Sequence, residues 1–278
     1  MGLILHLTHG WGTNSTEWFY TKEALARRFR LIVWDLPGLG ESKPRADGNY
    51  SLEKLAEDLE AVAALAGDRR VILAGHSIGG MITLTLCRLL GDRLRSKVAG
   101  IVLIHTTYTN PVHTTTLSGL MRALQTPVLT PLCYLMIGLA PLFWLTNWLS
   151  YLNGSMHLST WWSGFVAPTR EKLEFATGYS ARAWPDVVAR GMPGMFRFDA
   201  TDTLPKLNVP ALVVAESRDP ALPPDRSSEV LRERLPEAEY VVLEPAKHMG
   251  LVQEHEAFNG ALEAFAPKCG ASSAGLGS

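Results

Sequence analysis

A chain of 278 residues is long enough to bury one large core, since single cores grow to roughly 250–300 residues before chains split into domains. Lys and Arg number 26 against 27 Asp and Glu, and no basic run occurs, which argues against nucleic acid as a partner and against a polybasic tether to lipid. The three cysteines, Cys87, Cys133 and Cys269, stand far apart, so neither a disulfide framework nor a cysteine-based metal site is expected.

In chain order, Gly2–Thr8 comes first as a short apolar run with no basic segment and no small-residue cleavage site, and Leu3–Leu7 within it is the first candidate strand. It reads as a strand and not as a signal peptide, and His6 stands where a myristoylation motif wants Ser or Thr. Cytoplasmic residence is the default expectation. Leu31–Trp34 is the second strand. From Ser51 to Leu65 the spacing of Leu52, Leu55, Leu59, Val62 and Leu65 predicts a helix with its charges off the apolar stripe. Val71–Ala74, Gly100–Ile104, Ala211–Ala215 and Tyr240–Leu243 complete the strands. Strands alternating with helices over this length predict an α/β fold with a mostly parallel sheet.

Between the fourth and fifth strands the composition changes. No Lys, Arg, Asp or Glu occurs from Ala123 to Thr169, while Trp, Leu, Met and Phe abound. The economical reading is a helical lid inserted at 106–207 in a core formed by 1–105 and 208–268, with a Gly/Ser/Ala-rich, disordered tail at 269–278. Leu117, Leu120, Met121 and Leu124 predict one helix of the lid. Pro131 and Pro141 stand where a first helical turn accepts proline, and Asn153-Gly154 is a stop signal. A membrane span over Val128–Leu152 is the competing reading, because about 20 apolar residues suffice to cross a bilayer. The prolines cut that stretch into pieces of about ten residues, and no charge asymmetry marks an inside end. Peripheral contact of the lid with lipid stays open.

The chemistry gathers at three places. Gly75-His76-Ser77-Ile78-Gly79 follows a strand and opens an apolar helical pattern, the setting of a nucleophile elbow: a serine on a sharp turn, with glycines that let neighbouring backbone approach. A serine hydroxyl needs a base with pKa near neutrality, and that base needs a partner to fix its tautomer. His248, just past the last strand, is the best candidate. His6 falls within a strand, His76 inside the elbow, and His113, His157 and His255 in the insertion or on the last helix. His105 ends the fourth strand, where it is expected to line the pocket. Asp219, four residues beyond Ala211–Ala215 in Glu216-Ser217-Arg218-Asp219-Pro220, is the candidate acid; Glu216 and Asp225 are rivals that read as solvated loop charges. Ser, Asp, His is also the chain order that this elbow motif expects.

With those residues in view, the sequence resembles the α/β-hydrolase superfamily in its lid-bearing esterase, lipase and perhydrolase-like branch, over nearly all of residues 2 to 266. The resemblance rests on His9-Gly10-Trp11-Gly12, on Asp35-Leu36-Pro37-Gly38-Leu39-Gly40-Glu41-Ser42, on the elbow, on the Asp219 loop and on His248-Met249. It implies an oxyanion hole made by the main-chain N–H groups of Trp11 and Ile78, an architectural role for the Asp35 loop, and no metal or organic cofactor. Family members usually carry two further strands before the segment matching Leu3–Leu7, so a sheet short by two strands, or a trimmed chain, is implied.

The resulting expectation is a carboxylic ester hydrolase working through a Ser77-His248-Asp219 triad and an acyl-enzyme. Serine at the elbow speaks against haloalkane dehalogenase and epoxide hydrolase chemistry, which uses aspartate there. The uncharged lid, with Phe143, Trp144, Trp148, Trp161, Trp162 and Phe165, suggests a small apolar ester as substrate, bound by His105, Trp144, Trp148 and Trp161. A carbon–carbon bond hydrolase, a hydroxynitrile-lyase-like enzyme, a perhydrolase or an acyltransferase would share the triad, since fold does not fix substrate. A ligand-binding receptor with a vestigial site, and a protein anchored by Val128–Leu152, are alternatives of other classes.

Overall fold

The computed structural model describes residues 3–271 apart from 164–168, 218, 220 and 237, so Phe165, Arg218, Pro220 and the end of the chain from 272 lie outside the described residues. Six strands form one sheet: β1 (Ile4–Thr8), β2 (Arg30–Trp34), β3 (Val71–His76), β4 (Val98–Ile104), β5 (Ala211–Glu216) and β6 (Glu239–Leu243). Their order is β2-β1-β3-β4-β5-β6, and every pairing is parallel. All six expected strands are present, and no further strand precedes β1 among the described residues.

Parallel strands buried on both faces show near-continuous apolar runs, and successive side chains go to opposite sides. Helix α1 (Phe19–Leu25) lies between β1 and β2, and Leu73, Ile101, Leu103 and Val213 join one core with α2 (Leu52–Ala63) and α3 (Ile78–Leu90). Ile72, Ala74, Val102, Ile104 and Val214 join the other, with Trp18 and with Phe258, Leu262 and Phe265 from the C-terminal helix His255–Ala271. That helix carries Cys269 and Gly270 as well, which the composition had assigned to the tail; 272–278 lie outside the described residues. Ser51 caps α2, its side chain accepting from the Lys54 N–H, and Leu52, Leu55, Ala56 and Leu59 are buried beneath it. After β1 the chain turns to one side to make β2, then returns to the other side for β3. The crevice at the carboxyl ends of β1 and β3 is therefore the topological switch point, where open α/β sheets place their sites.

Between β4 and β5 the chain is helical: α4 (Ser118–Leu124), α5 (Thr130–Gly138), α6 (Ala140–Leu152), α7 (Ser155–Ser163), α8 (Arg170–Arg182) and α9 (Pro185–Phe196). Pro131 and Pro141 fall in the first turns of α5 and α6, and Asn153 caps α6. Val128–Leu152 is thus two helices that part at Leu139. One helical stretch, Ser118–Gly138, is long and apolar enough to cross a membrane by length and composition. The outer side of the insertion exposes Leu135, Leu142, Leu145, Leu149, Leu152, Leu158, Trp161 and Trp162, the last at 85%.

Candidate active site

Ser77 joins β3 to α3 with φ 52° and ψ −117°, a conformation that costs a side-chain-bearing residue about 1–3 kcal/mol. The flanking glycines make the turn possible. A Cβ on Gly75 would fall on the Gly79 carbonyl, and one on Gly79 would lie 2.5 Å from the Thr8 oxygen. The Ser77 N–H donates to Ile104 O at 2.9 Å, and Thr106 Oγ1 donates to Ser77 O at 2.6 Å. The strained residue is pinned from β4, and its hydroxyl stands at the switch point.

His248 lies in the loop after β6, and Asp219 in the loop after β5. The imidazole Nδ1 is 2.5 Å from Asp219 Oδ2 and Nε2 is 3.2 Å from Ser77 Oγ. A carboxylate only accepts, so Nδ1 carries the proton and Nε2 offers its lone pair to the hydroxyl. Burial pushes the Asp219 carboxyl up, but the His248 charge and the hydrogen bonds to it outweigh burial and hold the group well below the usual carboxylate range. Burial pushes His248 down, and the Asp219 charge, the Asp219 hydrogen bond and the more distant Glu17 charge together raise it above its ordinary value. Hydroxyl, imidazole and carboxylate thus lie in one hydrogen-bonded line.

A cavity of about 400 Å³ opens over Ser77 and His248. Trp11, Val188, Met136 and Met249 give it apolar walls, and Thr13, Asn147, Thr160 and Ser180 add polar ones. The Trp11 indole donates to Val188 O in α9 at 2.9 Å, tying the first loop to the insertion. Ile78 opens α3, so its N–H belongs to the first turn, outside the intrahelical ladder.

The insertion's aromatic residues stand elsewhere than expected. Trp144 stacks on Trp184 at 5.4 Å and meets Trp148 edge-on, Trp161 is 51% exposed, and none of Trp144, Trp148 and Trp161 lines the cavity. These helices are apolar on every side, so their pattern gave no direction to any one ring. His105 is fully buried behind His248 and does not line the cavity either. Glu216, expected as a solvated charge, is buried at the end of β5, and burial and the neighbouring Asp219 charge raise its pKa well above the usual range. Asp225 is exposed, as expected.

Sequence reasoning missed Glu17 and His76. Glu17 is completely buried, with Oε1 at 2.8 Å from His76 Nδ1, and a lone acid in an N-terminal loop carries no signal of that. Glu216, Asp219 and His248 form the one grouping of metal-ligand side chains among the described residues. The His248–Asp219 hydrogen bond already engages two of its members, and Glu216 favours its neutral form.

A family model described as alpha/beta hydrolase fold matches residues 4–255. A pimeloyl-(acyl-carrier protein) methyl ester esterase of Aeromonas hydrophila is 30% identical over 274 residues, covering 95% of this chain and 95% of that protein. The enzyme of the same name from Vibrio atlanticus is 28% identical and covers 96% of this chain and 95% of its own length. Among solved structures, a thermophilic esterase from Thermogutta terrifontis superposes with a TM-score of 0.76 at 25% identity, covering 97% of this chain and 91% of that one.

Proposed function

Because this chain belongs to the α/β-hydrolase fold family, and is a hydrolase with esterase relatives, we propose that it cleaves carboxylic esters through Ser77, His248 and Asp219. The observation that carries the reading is the relay from Asp219 Oδ2 through His248 to Ser77 Oγ, at 2.5 and 3.2 Å, on the floor of a largely apolar cavity. His248 Nε2 takes the hydroxyl proton as Ser77 Oγ attacks the ester carbon. Asp219 holds the ring and stabilises the imidazolium. The negative oxygen of the tetrahedral intermediate rests on the N–H groups of Trp11 and Ile78, and losing one such donor costs about 100- to 1,000-fold in turnover. His248 then protonates the leaving alkoxide, and water, activated by the same base, releases the acid from Ser77.

The cavity fits a small apolar acyl group, with Met136, Val188 and Met249 around the chain and Asn147, Thr160 or Ser180 available to a polar end. The relatives named for methyl ester cleavage point to the same bond. Hydrolysis of p-nitrophenyl acetate, butyrate, octanoate and laurate tests this, with Ser77→Ala alongside. A medium-chain preference that disappears in the variant is expected. Activity equal in the variant, or better on short charged esters than on medium-chain ones, contradicts the reading.

The outer face of the insertion extends the same proposal. From Ala123 to Thr169 it carries no Lys, Arg, Asp or Glu, and its exposed leucines end at Trp161 and Trp162, the residue type that favours a lipid–water boundary. A wide apolar face, with the exposed Glu174 of α8 bonded to His157 and Tyr151, suits the surface of a bilayer. Flotation with phosphatidylcholine liposomes is the expected result. Protein that stays behind as a dimer in detergent-free buffer contradicts it.

A further inference from the structure

Two non-glycine residues among those described have positive φ: Ser77, and His105 at 43°. The elbow accounts for the first. The second directly follows β4 with its ring fully buried, and acyl transfer through Ser77 gives it no task. His105 Nδ1 lies 3.1 Å from the main-chain oxygen of His248, and His76 Nε2 lies 3.0 Å from the same oxygen. A carbonyl only accepts, and it has two lone pairs. Both ring nitrogens therefore carry protons, and together they fill that oxygen's capacity.

The two rings come from the ends of adjacent strands and meet edge to face, 5.7 Å apart at 87°. Each has a buried carboxyl on its far side. Glu17 Oε1 is 2.8 Å from His76 Nδ1, and Glu216 Oε2 is 3.7 Å from His105 Nε2. Glu17 also accepts from Thr13 Oγ1 at 2.6 Å and from the Gly10 N–H at 3.3 Å, so the loop that carries Trp11 hangs on the same carboxylate. Gly250 leaves room for the arrangement, since a Cβ there would meet His105 Cε1 at 2.5 Å.

We propose that His76 and His105 form a clamp on the main-chain carbonyl of His248 and act as positioning residues that set where its ring stands against Ser77. The idea rests on His248 being the base. Asp219 holds that ring at Nδ1, which fixes its direction; the clamp fixes the backbone from which it swings, and Glu17 links this to the oxyanion loop. Protonation preferences agree with the geometry. Burial, helped by His76 and His248, pushes His105 well down, so it is neutral with its proton on Nδ1, and it faces a Glu216 carboxyl that burial keeps neutral.

Amide isosteres test the clamp, because the Asn amide nitrogen stands near the place of Nδ1 and the Gln amide nitrogen near that of Nε2. Asn also tolerates positive φ. His105→Asn and His76→Gln keep the donor, while His105→Gln and His76→Asn misplace it. The readouts are the labelling rate of Ser77 by a fluorophosphonate probe, kcat and KM on p-nitrophenyl butyrate, and the melting temperature. The donor-keeping pair is expected within about threefold of the unaltered protein, and the misplaced pair to lose about tenfold or more in labelling and kcat, with KM unchanged. Equal labelling by all four, or losses that follow melting temperature irrespective of the amide used, overturns the clamp and leaves the serine reading intact. An unaltered protein that labels no faster than Ser77→Ala overturns both.

Discussion

Helices α2 and α6, of almost equal length, obey opposite rules. In α2, Leu52, Leu55, Ala56 and Leu59 line the buried side, and Glu53 and Glu57 face solvent. In α6 only Ala140 is buried, and Leu142, Leu145, Leu149 and Leu152 stand exposed. The first helix states in its periodicity which face goes inward; the second is apolar all round and states nothing. The sheet and its covering helices hold Ser77, His248 and Asp219 in place, and the insertion supplies walls and an outer surface, with few demands on any one of its leucines.

That contrast sets a scale of effects. Ser77→Ala should reduce ester hydrolysis by about 10⁴-fold or more, because members of such a relay act as a unit, and the ester series above measures it. In the same core, Leu55→Ala should cost about 2–5 kcal/mol of stability through lost burial and a cavity, read by urea unfolding. Leu149→Ala on α6, the same substitution in the other region, should lie within about 0.5 kcal/mol. A Leu149→Ala variant as unstable as Leu55→Ala would break the comparison. The smallest effect expected is a displacement on the pH axis. Asp219 after β5, Glu216 at its end, Glu17 after β1, His76 at the end of β3 and His105 after β4 surround His248. His248 stands above its ordinary value in part through the Glu17 charge, so Glu17→Gln lowers it and leaves the base unprotonated to lower pH. The acid limb of kcat/KM should move down; a limb that stays or moves up contradicts the assignment.

The same contrast explains what could be read from the residues alone. All six strands were legible because each is a short apolar run bounded by turn residues, and the elbow was legible because two glycines and a serine stand where a strand meets a helix. Pro131 and Pro141 gave the starts of α5 and α6. The directions of Trp144, Trp148 and Trp161 were not legible, because the period that aims a side chain at a core is missing from an all-apolar helix. Glu216 and Glu17 escaped for another reason: a buried carboxyl is recognised by its partners, and His105 and His76 come to them from distant parts of the chain.

Trapping the acyl-enzyme tests the central claim most directly: the protein is mixed with p-nitrophenyl butyrate, quenched in acid during the first turnovers and digested for mass spectrometry. The account predicts a butyryl group on the peptide that carries Ser77, and none in Ser77→Ala. Turnover with no acyl group on that peptide, or with the group on another residue, would contradict it.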